Sequence, residues 1–151
     1  MAPFPRAELS WEEWEALTHL LMVRSGGQCE IRSPDCLAPR GDLTRLTKNL
    51  VSRHHRLARR MGGTTNPAIN SLANLLLICG HGTVGCHGWV EHHAYGASET
   101  GLAYRLGYLV RQPAPGRATA DTDPARVPVL TPSGRWALLH PTNPEMLYQA
   151  A

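Results

Sequence analysis

The chain has 151 residues and a formal charge of +3, long enough for one domain of ordinary size. No apolar run approaches the roughly 18 residues needed to cross a bilayer, and the N-terminus shows no basic-then-apolar signal pattern. On these two signs we expect a cytoplasmic protein with no membrane partner. Charge is unevenly spread: between Arg24 and Arg60, eight arginines and one lysine face only Glu30, Asp35 and Asp42. That basic stripe favours a polyanion as partner, because neutralising phosphates releases counterions.

Residues from Ser10 to about Arg24 carry helix signals at both ends. Ser10 and Glu13 fit a capping box, and Gly26-Gly27 stop the helix. Trp11, Trp14, Leu17, Leu20 and Leu21 are spaced by threes and fours, which predicts one apolar face packed as a brace on the core. Next come Cys29 and Cys36, with the turn sequence Ser33-Pro34-Asp35 between them, so the chain can double back and point both thiols at one ion.

Leu50 to His55 reads as a short strand, and Asn74 to Cys79 as a second strand buried on both sides, since Leu75-Leu76-Leu77-Ile78 is apolar throughout. The loop between them holds Gly62-Gly63, Thr64-Thr65 and Asn66-Pro67, and loops of that length usually carry function. After the glycine-rich stretch from Gly80 to Gly85, a helix is expected from near His87 to about His93. Gln112 to Pro124 is mostly Pro, Gly, Ala, Thr and Asp and reads as a linker. Val127 to Leu130 and Trp136 to His140 then form a hairpin around Ser133-Gly134. The division is therefore 1–111 for the main unit and 112–151 for linker and hairpin tail.

Two brackets of equal length, Cys29 to Cys36 and Cys79 to Cys86, supply the four soft ligands that a structural zinc takes in a tetrahedron. A reducing compartment favours thiolate–metal bonds over disulfides. His87 is peptide-bonded to the last of these cysteines, so the same staple fixes its position. His54 and His55 are adjacent, and on a strand their rings point to opposite faces. One can hold a metal while the other serves as a general base. His87 and Glu91 stand four apart and share a helix face, so they can chelate one ion together, with His92 as the competitor of Glu91. Asn74 opens a buried strand, where its side chain must find partners and can pin the backbone that carries His55. Arg53, Arg56, Arg59 and Arg60 flank the histidines and could grip phosphates.

The strings Ser52-Arg53-His54-His55-Arg56, Arg60-Met61-Gly62-Gly63, Asn74-Leu75, Cys79-Gly80 and Gly85-Cys86-His87-Gly88-Trp89-Val90-Glu91 together resemble the HNH endonucleases. The likeness runs from Cys29 to about Val110. It is nearest to the small zinc-knuckle HNH proteins of actinobacterial phages and prophages. The resemblance implies an α+β fold with a ββα-metal core, stapled by a structural zinc on all four cysteines and extended by the N-terminal helix and the C-terminal β-hairpin. It implies that His55 is the general base, that Asn74 steadies it, and that His54 and His87 bind a catalytic divalent ion.

Many members have aspartate at the position of His54; a bacterial toxin branch uses the same His-His pair. Histidine there tilts preference from magnesium towards manganese, nickel or zinc without excluding magnesium, and Glu91 could return the missing charge. The implied activity is hydrolysis of DNA phosphodiester bonds, by nicking or double-strand cleavage, leaving 5′ phosphate and 3′ hydroxyl ends. Two other readings are a zinc-stapled DNA-binding module without catalysis and an accessory protein of phage packaging, for which terminase components would be the partners. Oligomeric state is left open, and the hairpin tail is free to bind DNA, a partner or a second copy.

Overall fold

The computed structural model describes residues 8–58, 66–94, 101–145 and 147–149. These form helices and two small antiparallel sheets, a small α+β arrangement. Helix α1 spans Trp11–Ser25. Its start is chemically marked: the Ser10 hydroxyl accepts from the Glu13 N–H at 3.1 Å, and the Glu13 carboxylate accepts from the Ser10 N–H at 3.2 Å. At its other end Gly26 takes the left-handed conformation, φ 65°, and donates to the Met22 carbonyl.

The apolar face of α1 is narrower than its spacing suggests. Leu17 and Leu21 are buried, and Trp14 and Leu20 pack partly against the core. Trp11, by contrast, is 67% exposed. At about 100° per residue it lies about 120° around the helix from Leu17, off the centre of the buried stripe.

Strand β1, Val51–His55, pairs antiparallel with β2, Leu75–Cys79, in a register that sets His54 opposite Leu76 and His55 opposite Leu75. All five residues of β2 are buried, as its continuous apolar run predicts. The strand's free edge is covered by the segment around Cys29. There the Glu30 N–H donates to the Leu77 carbonyl at 3.0 Å, and the Glu30 carboxylate accepts from the Leu77 N–H at 2.8 Å. Arg24 clamps that carboxylate with two bonds of 2.8 Å and directs two further donors to the carbonyls of Leu72 and Leu75.

From β2 the chain turns through Gly80 into helix α2, Gly85–His92. Gly80 has φ 87°, and a side chain there would run into the Val84 carbonyl oxygen. The turn thus requires glycine, and it is what returns Cys86 to Cys79.

A short helix α3, Leu102–Arg105, precedes a three-stranded sheet of β3 (Val129–Leu130), β4 (Trp136–Leu139) and β5 (Leu147–Gln149), in the order β3-β4-β5. The β3–β4 hairpin lies where the sequence places it, and β5 adds a third strand. Val129 and Leu139 belong to the same buried cluster as Leu17, Leu21 and Leu76. The segment 112–124 contains a 3-10 turn at Ala120–Thr122, and Pro124 at its end is buried. Among the described residues no helix is long and apolar enough to cross a membrane.

Arg56 corrects the sequence reading. It is fully buried and holds no position from which to grip a phosphate. Two residues beyond His54, it points to the same inward face of the chain. There its guanidinium donates to four carbonyls: Gly107 at 2.7 Å, Ala73 at 2.8 Å, Pro124 at 2.9 Å and Val127 at 2.7 Å. Burial pushes its pKa down to about 9, so the group stays charged at neutral pH. With Arg24 also internal, the described exposed cations of the basic stripe are Arg32, Arg40, Arg45 and Lys48. Arg59 and Arg60, together with the loop glycines at 62 and 63, lie outside the described residues.

Because Arg56 ties the end of β1 to segments at 73, 107, 124 and 127, its loss strands four buried acceptors at once. Arg56→Met is expected to lower stability by about 3 kcal/mol or more, measured by denaturant unfolding. A loss below about 1 kcal/mol would show that the four bonds are dispensable.

Candidate metal centres and active site

The four cysteine sulfurs lie within 4.8 Å of one another and form no disulfide. Cys29 and Cys86 are 3.6 Å apart, and Cys36 and Cys79 are 3.7 Å apart. Four thiolates at about 2.3 Å from a shared ion would be separated by about 3.8 Å along each tetrahedral edge, so the spacing fits one coordinated metal. Backbone N–H groups support the sulfurs: Leu37 donates to Cys79 at 3.2 Å, Cys86 to Cys79 at 3.4 Å and Ser33 to Cys86 at 3.2 Å. The turn at Ser33, closed by the Cys36 N–H on the Ser33 carbonyl at 3.0 Å, lets the first bracket double back.

Crowding splits the thiols' acidities. Hydrogen bonds from Cys29 and Cys86 hold Cys79 well below the usual thiol range. The same pairing with Cys79 pushes Cys29 up to about 12, and Cys29 pushes Cys86 upward. Crowded thiols ionise together only beside a cation, which is what a coordinated metal provides.

The second cluster joins β1 to α2. Donor atoms of His54, His87 and Glu91 lie within 4.8 Å of one another. The His54 and His87 rings are 5.3 Å apart, centre to centre. His54 is 3% exposed, and its Nε2 is 2.8 Å from the Tyr108 carbonyl oxygen. A carbonyl only accepts, so Nε2 carries the proton and Nδ1 keeps the lone pair. His87 places Nδ1 at 3.2 Å from the Ser52 hydroxyl and Nε2 at 3.8 Å from a Glu91 carboxylate oxygen. Burial pushes His54 down to about 3, and burial likewise lowers His87 while Glu91 acts the other way. Both imidazoles are therefore neutral near pH 7, the state a metal ligand needs. Glu91, and not His92, stands with them, and its side chain is half-exposed.

His55 leaves the opposite face of β1. Its half-buried ring sits edge-on to Trp14, with centroids 6.0 Å apart, and its Nε2 is 3.0 Å from the Asn70 side-chain oxygen. Arg53 shares that face. Its guanidinium lies 4.7 Å over the Trp14 ring and donates to the Thr18 hydroxyl at 3.0 Å, so it is half-buried against α1. Asn74 is fully buried: its oxygen accepts from the Leu57 N–H at 2.7 Å, and its amide donates to Ile69 at 2.8 Å and Leu57 at 3.2 Å. It thus pins both shores of the loop that follows His55.

Three participants escape a reading of the sequence. Ser52 is findable in principle, because two residues before His54 a strand side chain shares its face. Asn70 carries no local signal, and the Tyr108 carbonyl carries none at all, since any residue supplies one. No family model, curated protein or solved structure matches the chain.

A structural ion of the zinc kind contributes about 10 to 16 kcal/mol of apparent binding free energy, against about 5 to 15 kcal/mol of net stability for a whole domain. Cys79→Ser, or stripping the metal with a strong chelator, should therefore abolish cooperative thermal unfolding followed by near-ultraviolet circular dichroism. A Cys79→Ser protein that melts cooperatively within a few degrees of the parent would rule out a structural ion at these sulfurs.

Proposed function

We propose that this protein is a metal-dependent HNH endonuclease that hydrolyses DNA phosphodiester bonds. The observation that carries the reading is the convergence of His54, His87 and Glu91 within 4.8 Å at the crossing of β1 and α2. In this reading the β1–β2 hairpin and α2 are the ββα-metal core, and zinc is the ion held by Cys29, Cys36, Cys79 and Cys86. The donor set at the second site, two neutral imidazoles and one carboxylate, suits manganese, nickel or zinc better than magnesium.

A divalent ion at His54, His87 and Glu91 would supply Lewis-acid relief of charge on the phosphate and on the departing oxygen. The chain's own residues do the rest. His55 takes the proton from the attacking water, and its bond to Asn70 holds the ring while it does so. Asn74, by fixing the backbone at Leu57 and Ile69, keeps the end of β1 from shifting as substrate arrives. Arg53, at the rim between α1 and β1, is the described cation beside His55 and the best placed to meet a flanking phosphate.

Supercoiled plasmid incubated with zinc-loaded protein and Mn²⁺, Ni²⁺, Zn²⁺ or Mg²⁺ tests the reading directly. Nicking or linearisation is expected with at least one ion, and His55→Ala should slow it by about 10² to 10⁴ with its thermal midpoint retained. His54→Ala should instead raise the ion concentration required. An equally fast His55→Ala protein would overturn the assignment of the base. Plasmid shifted on a gel but never cut, under every ion, would favour the DNA-binding module.

A further inference from the structure

An imidazole that must ligate a metal has a problem that a thiolate does not. When neutral it carries a lone pair on one nitrogen only, and a histidine free in water favours the form with its proton on Nε2. For His87 that form would aim a proton, not a lone pair, at the side where Glu91 stands 3.8 Å away. Something must move the proton to Nδ1.

The Ser52 hydroxyl can do so. Its single hydrogen is donated to the Gly80 carbonyl oxygen, which has no proton to give back. The Ser52 oxygen therefore offers only lone pairs to His87 Nδ1, 3.2 Å away. That contact is satisfied when Nδ1 bears the hydrogen, which leaves the lone pair on Nε2. The Tyr108 carbonyl imposes the mirror arrangement on His54, with the proton on Nε2 and the lone pair on Nδ1. The two rings thus use opposite nitrogens, each set by an oxygen behind it.

We infer that Ser52 is a positioning residue for the divalent-ion site, presenting Nε2 of His87 by holding its Nδ1 hydrogen while anchoring itself on Gly80; this rests on the proposed reading of His54, His87 and Glu91 as the ion's ligands. Its placement links three elements. Ser52 lies on the strand that carries His54, Gly80 directly follows Cys79, and His87 directly follows Cys86. One hydroxyl therefore joins the strand bearing one ligand to both arms of the second cysteine bracket, and ring orientation at the ion site follows the closing of the sulfur cluster.

The test uses the full chain with its zinc content verified, comparing the parent with Ser52→Ala and Ser52→Thr. Calorimetric titration with Mn²⁺ should show one ion bound by the parent, binding weakened by about 10- to 100-fold in Ser52→Ala, and near-parent binding restored in Ser52→Thr. Long-range ¹H–¹⁵N spectra of the Mn²⁺-free protein should show His87 protonated on Nδ1 in the parent and in Ser52→Thr, and on Nε2 in Ser52→Ala. A hydroxyl that merely satisfied the Gly80 carbonyl would not move that proton. If the parent binds Mn²⁺ and Ser52→Ala matches it in affinity and tautomer, the role of Ser52 is overturned while the ion site stands. A parent that takes up no Mn²⁺ beyond its zinc overturns the ion site itself, and the role of Ser52 with it.

Discussion

The meeting of four sulfurs is the constraint on which the rest of the centre depends. It joins the turn from Cys29 to Cys36 to a stretch far along the chain, the last residue of β2 and the first turn of α2. At eight residues, α2 is shorter than the roughly 12 to 15 that make an isolated helix even marginal in water. Its stability comes from being held at Cys86 and from packing Val90 into the core. His87, one residue on, inherits that placement, and the facing ring of His54 is fixed independently by pairing within the hairpin. Two imidazoles from separate elements reach a common point because each is anchored by something unrelated to their own chemistry.

Buried arginines do a second part of this work, and they change how the chain's charge should be read. Arg24 and Arg56 both count towards the basic stripe, yet neither meets solvent with its guanidinium. Arg24 is neutralised by a two-pronged pairing with Glu30, which ties α1 to the first cysteine bracket and to β2. Arg56 is solvated by four carbonyls. Removing a charge from water costs several kcal/mol, so such a site persists only where hydrogen bonds replace the lost hydration. Here four of the five N–H donors are met by backbone from three separate stretches, at Ala73, Gly107 and Pro124 to Val127. The guanidinium acts as a cross-link between the core and the chain's last third.

What can be read in the sequence is what depends on near neighbours. The capping box at Ser10 and Glu13, the stop at Gly26, the apolar run of β2 and the paired cysteine brackets all have their partners within a few residues or in an equal spacing. The adjacent histidines on a strand fall under the same rule. Arg56 defeats such a reading because the four carbonyls that bury it come from positions 73, 107, 124 and 127, and no local pattern announces their convergence. Trp11 defeats it for a smaller reason: threes and fours define a stripe, but a residue at its angular edge is buried only if the neighbouring element is wide enough. Tyr108 acts through its backbone, so its side chain says nothing about the task.

The adjacent histidines show how surroundings, more than residue type, divide chemical roles. A base that titrates near 3 cannot draw a proton from water at neutral pH, and that is where burial leaves His54. The same burial suits it to ligation, since it stays neutral and, with Tyr108 behind it, keeps one lone pair in a fixed direction. His55, on the other face of the strand, is only half-buried and meets Trp14 and Asn70, so water can reach it. Alternation along β1 is therefore sufficient to place one imidazole in a dry, carbonyl-backed setting and its neighbour in a wet one. In the proposed reaction that difference separates ligand from base, and exchanging the two residues' surroundings, not their identities, would be needed to exchange their functions.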